Sequence, residues 1–291
     1  MSKSLRVFAV FFVVLTLIFG RPLLELVQFS LRTELHSHAI LIPLLSAYLL
    51  WQLRGHALPV ASPSPALAVA PLALGFVTLK PALFPGAGMV PWAQSDRLAV
   101  ATFCYLLFLY SGVLLILGGR LFRALLFPLC FLIFLIPLPV AAENALEIFF
   151  QHASAEATDW IFSIPGMTFF RKGLIFDLPG ISIRVAQECS GIRSSLVLFI
   201  TSLLAGQMFL HSPWRRTVLA LFVVPLGIVR NGFRIFTISY LCVHVSPSMI
   251  DSPIHHRGGP FFFLLSLIPF FAFLFWLRKG ERSRGGEVTH E

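Results

Sequence analysis

Long apolar runs alternate with short polar breaks along this chain. Eight runs can be drawn, at about 5–20, 38–53, 65–82, 98–117, 121–140, 191–211, 216–243 and 260–277. Most approach the roughly 20 apolar residues that a helix needs to cross a bilayer. In hydrocarbon every backbone group must be satisfied within the protein, which favours helices as the spanning element. The pattern therefore predicts an all-α polytopic membrane protein of about eight transmembrane helices. The first run, Val7 to Gly20 behind Lys3 and Arg6, has the length of a secretory signal core, but Gly20 leads straight into Arg21-Pro22-Leu23-Leu24. With no small-residue cleavage site there, it reads as a retained helix.

One break is longer than the rest. Between the fifth and sixth runs, Ala141–Ser190 opens with apolar residues at helical spacing (Leu146, Phe149, Phe150, Trp160, Ile161) among Glu147, His152, Glu156 and Asp159. That spacing predicts an amphipathic helix over about 143–164, lying at the membrane interface. Residues 173–185 then alternate about Pro179-Gly180, the pattern of a β-hairpin that leads the chain to Cys189. The organisation expected is one integral membrane domain over 1–278 and a charged cytoplasmic tail over 279–291.

Composition narrows the partners. Of 291 residues 57% are hydrophobic and 12% charged, with 31 Phe and 20 Pro; a water-soluble fold could not solvate such a surface. The net charge of +9 does not point to nucleic acid, because the basic residues stand at the ends of apolar runs rather than in one stripe. They gather at Lys3 and Arg6, at Arg120 and Arg123, at Arg215 and Arg216, and at Arg278, Lys279, Arg282 and Arg284. With eight spans all four groups fall on one side, which makes both termini cytoplasmic and places 141–190 and 244–259 outside. Anionic headgroups are the natural contacts of such clusters. The four cysteines show no CxxC spacing, so neither a disulfide framework nor a metal site is expected, and no cofactor.

Polar residues in or beside membrane spans are costly, which makes them candidates for chemistry. The segment Glu188-Cys189-Ser190-Gly191-Ile192-Arg193-Ser194-Ser195 opens the sixth run. A thiol at the start of a helix meets backbone N–H groups and a favourable dipole that stabilise a thiolate and an oxyanion. Cys104, Cys130 and Cys242, in lipid-like surroundings, read instead as buried apolar cysteines. In the seventh run Arg230 and Arg234 share a helix face, with Asn231 beside Arg234. His255 and His256 precede the eighth run on the same outer side as Cys189, where an imidazole would take the thiol proton and return it to a leaving amine. Ser190, Gly191, Arg193 and Asn231 are expected to contact the substrate.

These residues resemble those of the exosortase and archaeosortase family. Val185-Ala-Gln-Glu-Cys189-Ser190-Gly191-Ile192-Arg-Ser-Ser is similar to the family's V-x-x-x-C-S-G-[IV]-x-S segment. Asn231-Gly-Phe-Arg234-Ile235 resembles the bacterial N-x-x-R-[IV] pattern, and His255, Gly259 and Phe263 resemble H-x-x-x-G-x-x-x-F. The resemblance implies an eight-span cysteine peptidase and transpeptidase of the bacterial inner membrane, with Cys189 as the nucleophile, an arginine as proton donor or oxyanion partner, and a histidine as third member. It implies exported substrates bearing a C-terminal sorting signal: a motif such as Pro-Glu-Pro, a membrane helix and a basic tail. The archaeal R-N-x-x-[IV] arrangement selects Arg230 and the bacterial one Arg234, while a looser H-x-G-G pattern admits His256, so both choices stay open. Four residues separate the arginines by about 6 Å in depth. If the seventh run leads outward, the shallower Arg234 acts on the carbonyl and Arg230 holds the substrate's acidic group. The other readings are a transporter or channel for an anionic solute and a non-enzymatic scaffold of an exopolysaccharide system.

Overall fold

A computed structural model describes residues 3–53, 59–83, 92–166, 168–187, 190–252 and 258–287. Cys189, His255 and His256 lie outside these residues, as do the neighbouring Glu188 and Arg257. The chain forms two compact units, Met1–Glu143 and Asn144–Glu291.

The first unit contains α1 (Lys3–Ile18), α2 (Gly20–Arg32), α3 (Ile42–Gln52), α4 (Pro65–Leu83), α5 (Gln94–Gly112, continued by a π-turn over Val113–Leu117), α6 (Gly119–Ala124), α7 (Leu126–Phe131) and the start of α8 (Val140–Ser163). The apolar helix α5 is buried along most of its length, with Ala101, Cys104, Tyr105, Leu106 and Leu109 packed against Leu15, Phe19 and Ala82. The few polar side chains here find partners: Thr16 Oγ1 lies 3.2 Å from Tyr105 OH, and the Cys104 thiol donates to the Gly75 carbonyl at 3.4 Å. Ser62 and Ser64 donate their N–H groups to the Leu117 and Leu114 carbonyls, tying the segment before α4 to the end of α5.

Among the described residues five helices are long and apolar enough to cross a membrane, Pro65–Leu83, Gln94–Leu117, Ile192–Phe209, Pro213–His244 and Gly259–Glu281, or seven if each of two bent helix pairs counts as one span. The expected eight exceed five at three runs. The run at 5–20 gives the 16-residue α1, which bends by 69° into α2. The run at 38–53 yields a 3-10 turn and then the 11-residue α3, which at 1.5 Å per residue reaches only about 16 Å. The run at 121–140 contains Pro128, Pro137 and Pro139 and breaks into α6, α7 and a 3-10 turn over Leu132–Leu135, as expected where proline removes donors and disfavours helix before it.

The second unit holds most of α8, a three-stranded sheet, α9 (Ile192–Phe209), α10 (Pro213–His244) and α11 (Gly259–Glu287), which runs on through the first residues of the expected tail. The helix expected over 143–164 is present as α8. Trp160, 80% exposed, and Leu146 and Phe149 face outward, while its buried side carries the polar Gln151, Ser154 and Thr158 beside Phe150, Ala155 and Phe162. At the other end, Glu281 accepts from the N–H groups of His211 and Ser212 (3.0 and 2.8 Å), satisfying donors where α10 begins.

The hairpin is also present, with one strand more than the sequence pattern offered: β1 (Phe170–Lys172), β2 (Ile175–Leu178) and β3 (Ile181–Arg184) pair antiparallel in that order. Pro179 and Gly180, with Gly180 at φ +83°, make the turn between β2 and β3, as a type II turn requires. Phe176, Leu178, Ile183 and Val185 point inward against Phe162 of α8 and Ile235, Ile238 and Cys242 of α10. An ion pair joins Arg171 of β1 to Glu156 of α8.

Candidate functional site

Past β3 the chain leaves the sheet at Val185, whose N–H still bonds to the Leu174 carbonyl (2.9 Å) and whose carbonyl accepts from the buried Gln151 amide (2.6 Å). Ser190 N–H donates to the Gln187 carbonyl at 2.9 Å. Gly191 follows at φ +77° and stands as the N-cap residue of α9, with no side chain capping the helix. The positive end of the α9 dipole therefore lies beside Gly191.

Gly191 is the meeting point. Its carbonyl accepts from Ser195 N–H (3.1 Å), Ser194 Oγ (3.2 Å) and Arg230 Nη2 (3.1 Å). Arg230 Nη2 also donates to Ser195 Oγ at 3.3 Å. The guanidinium is only 7% exposed, and its Nη1 is buried with no hydrogen-bond partner among the described residues. Asn231, 2% exposed, donates from Nδ2 to Ser154 Oγ of α8 at 3.0 Å. Among the described residues no carboxylate pairs with this cation, which is enclosed by carbonyl and hydroxyl oxygens, an arrangement that favours an anion arriving from outside.

The backbones approach closely around this point. A Cβ at Gly227 would stand 2.5 Å from Ser195 Oγ, and one at Gly232 would stand 3.0 Å from Ala157 Cβ and 3.1 Å from Thr158 N. Glycine lets α10 come against α9 at one level and α8 at the next. Arg234, half-buried, lines a pocket between β3 and α10 together with Ile183, Val185, Asn231 and Ile238.

Of the candidate residues, the structure brings Ser190, Gly191, Arg230 and Asn231 together at the opening of α9, sets Arg234 in the adjoining pocket, and leaves Arg193 exposed on the first turn of α9. Cys104 and Cys242 are buried as expected; Cys130 is exposed, because the broken helix around it turns that residue outward. Sequence reasoning missed Gln151, Ser154 and the two close-approach glycines. The Gln151-Ser154-Thr158 spacing was legible as a helical stripe, but Phe149, Phe150, Trp160 and Ile161 dominate the hydropathy of the same helix. Among the described residues no three His, Cys, Asp or Glu side chains gather as a metal site would require.

Fold and site together define a multi-pass membrane protein with a cationic polar centre where a small sheet meets three helices. The model of the transmembrane exosortase family matches residues 30–272. The chain belongs to that family, and is thereby a membrane sorting enzyme in the general sense. No curated protein and no solved structure matches it.

Proposed function

We propose that this exosortase is a cysteine peptidase and transpeptidase that cleaves a C-terminal sorting signal from exported proteins and passes their new carboxyl end to an acceptor. The observation that carries the reading is the Arg230 guanidinium. It is bonded to the carbonyl of the residue two after Cys189, and one of its nitrogens is buried and without an acceptor among the described residues. The Cys189 thiolate attacks the scissile carbonyl carbon, and the electron pair moves onto the carbonyl oxygen. That oxyanion is held by Arg230 Nη1 and the positive end of the α9 dipole. Its collapse breaks the C–N bond, and the leaving amine takes a proton from His255 or His256. The acyl-thioester so formed is resolved by the acceptor nucleophile, whose proton returns to the same histidine. The active site faces the outer side of the inner membrane, with both termini inside.

Within this reading the contacts of Arg230 favour it for the oxyanion and Arg234 for the substrate's acidic group, the reverse of the order that depth alone suggests. Lysine keeps the charge but loses the planar fork. Arg230→Lys is therefore expected to capture substrate without cleaving it, and Arg234→Lys chiefly to weaken capture. Co-purification of a tail-bearing substrate and gel assay of its processing separate the two; the opposite pattern overturns the assignment. The function itself is tested by acid-quenching the enzyme with that substrate and searching by mass spectrometry for an acyl group on Cys189. Continued processing by Cys189→Ala defeats it.

A further inference from the structure

β3 is an edge strand. The sheet order is β1-β2-β3, and β3 pairs with β2 only. Val185 N–H bonds to Leu174 O, and the register pairs Ile183 with Phe176 and Ile181 with Leu178. In an antiparallel ladder the bonded pairs alternate, so Ile181, Ile183 and Val185 direct their backbone groups at β2. The N–H and C=O groups of Ser182 and Arg184 then point to the open edge, and among the described residues they have no backbone partner. The pocket lined by Ile183, Val185, Asn231, Arg234 and Ile238 lies along this strand. Its described lining carries two arginines, Arg184 and Arg234, and no carboxylate. Cys189 follows Arg184 by five residues, at most about 18 Å of chain.

We infer that the substrate's acidic segment binds as a fourth strand added to β3, parallel to it, with the acidic side chain directed at Arg234. The inference rests on the sorting-enzyme reading above. In a parallel pair the residue opposite Ile183 donates its N–H to the Ser182 carbonyl and accepts from the Arg184 N–H, and its side chain stands on the Ile183 face. That face is the inner one, towards α10 and Arg234. The parallel sense also carries the segment's C-terminal neighbours alongside 185–187, in the chain direction that leads to Cys189. An antiparallel strand would run them back towards Gly180 and would put the acidic side chain on the outer face beside Arg184. Proline spacing agrees: in a Pro-Glu-Pro segment the glutamate's N–H and C=O face one edge, and both proline nitrogens, which have no hydrogen to give, face the other. Strand addition of this kind takes affinity from the main chain and specificity from alternate side chains.

The test uses the full-length Cys189→Ala protein in lipid nanodiscs and a fluorescent ten-residue peptide centred on Pro-Glu-Pro, with binding read by anisotropy. Arg184→Pro removes one edge donor that the β2 ladder does not use, and is expected to weaken binding about tenfold. A peptide methylated at the glutamate nitrogen, tested on the unaltered edge, is expected to lose a similar factor and is independent of any folding defect. A double-mutant cycle of glutamate→glutamine in the peptide against Arg234→Gln is expected to show coupling, and the same cycle against Arg184→Gln little. Undiminished binding of the methylated peptide overturns the strand addition, and coupling to Arg184 in place of Arg234 overturns the parallel seating. Either result leaves the cysteine chemistry standing if wild-type enzyme still forms the Cys189 acyl adduct. Absence of that adduct, with the peptide bound as expected, defeats the enzymatic reading alone.

Discussion

Replacement of Gly191 by alanine tests the site at its tightest point. The residue sits at φ +77°, where an L side chain costs about 1–2 kcal/mol. The added Cβ would lie 2.9 Å from Asn231 Cγ, 3.0 Å from Asn231 Oδ1 and 3.2 Å from Arg230 Nη2. None of these atoms has an easy retreat, because Asn231 is bonded to Ser154 and Arg230 to the Gly191 carbonyl itself. Overpacking of this kind costs about 1–3 kcal/mol, so the substitution is expected to destabilise the protein by about 2–5 kcal/mol. It should also push the guanidinium off its two acceptors. Thermal unfolding in detergent reads the first effect. Processing of a tail-bearing substrate at a temperature where the variant is still folded reads the second, with a loss of at least tenfold expected. Gly191→Ala with an unchanged unfolding midpoint and unchanged processing would refute both the left-handed conformation and the Arg230 contact.

Three further outcomes follow from the contacts described. Cys189→Ser and Cys189→Ala are expected to abolish processing while the protein still inserts, whereas Cys104→Ala, Cys130→Ala and Cys242→Ala retain it; a gel assay of substrate processing decides, and an active Cys189→Ser beside one dead member of the other three would move the nucleophile. Gln151→Ala removes the 2.6 Å donor to the Val185 carbonyl and should cost about 1–2 kcal/mol, read as a lower unfolding midpoint; no change would mean that this bond contributes nothing to stability. His36 lies buried between α2 and the next helical turn, accepting at Nε2 from Leu138 N–H (3.2 Å). Burial, and then the nearby His38, hold its pKa down from 6.5 to about 4. The unfolded chain therefore takes up this proton below about pH 6.5 and the folded protein only near 4, so stability is full above that range and falls as pH drops through it, by at most about 3 kcal/mol. Unfolding midpoints between pH 7.5 and 4.5 should fall more steeply for wild type than for His36→Gln, and parallel slopes would refute the assignment.

The helix at 143–164, the hairpin about Pro179-Gly180 and the grouping of Ser190, Gly191, Arg230 and Asn231 were all legible in the sequence. Each announces itself locally, through periodicity, a turn pair, or polar residues in an apolar run. The span count was not, because hydropathy sums over a window and is blind to where a proline or a bend interrupts the hydrogen-bond ladder, as at Pro128, Pro137 and Pro139. The third strand was missed because Phe170–Lys172 is three residues long and has no alternation to display. Gly227 and Gly232 were missed for another reason. Small residues score as neither apolar nor charged, and their importance lies in how near they let two helices come, which is a property of pairs of segments that no single segment carries.

The open edge of β3 also fixes where water must begin. The two N–H and two C=O groups that Ser182 and Arg184 turn away from β2 are satisfied readily in water or by a bound peptide. Hydrocarbon offers them nothing, at a cost of several kcal/mol each. The strand therefore acts as a depth mark: the acyl chains must stop short of it, however thick the membrane. In bilayers of longer lipids the sheet would resist submersion, and the helices beneath it would have to tilt or the bilayer thin around them. Access to the site would then vary with lipid chain length.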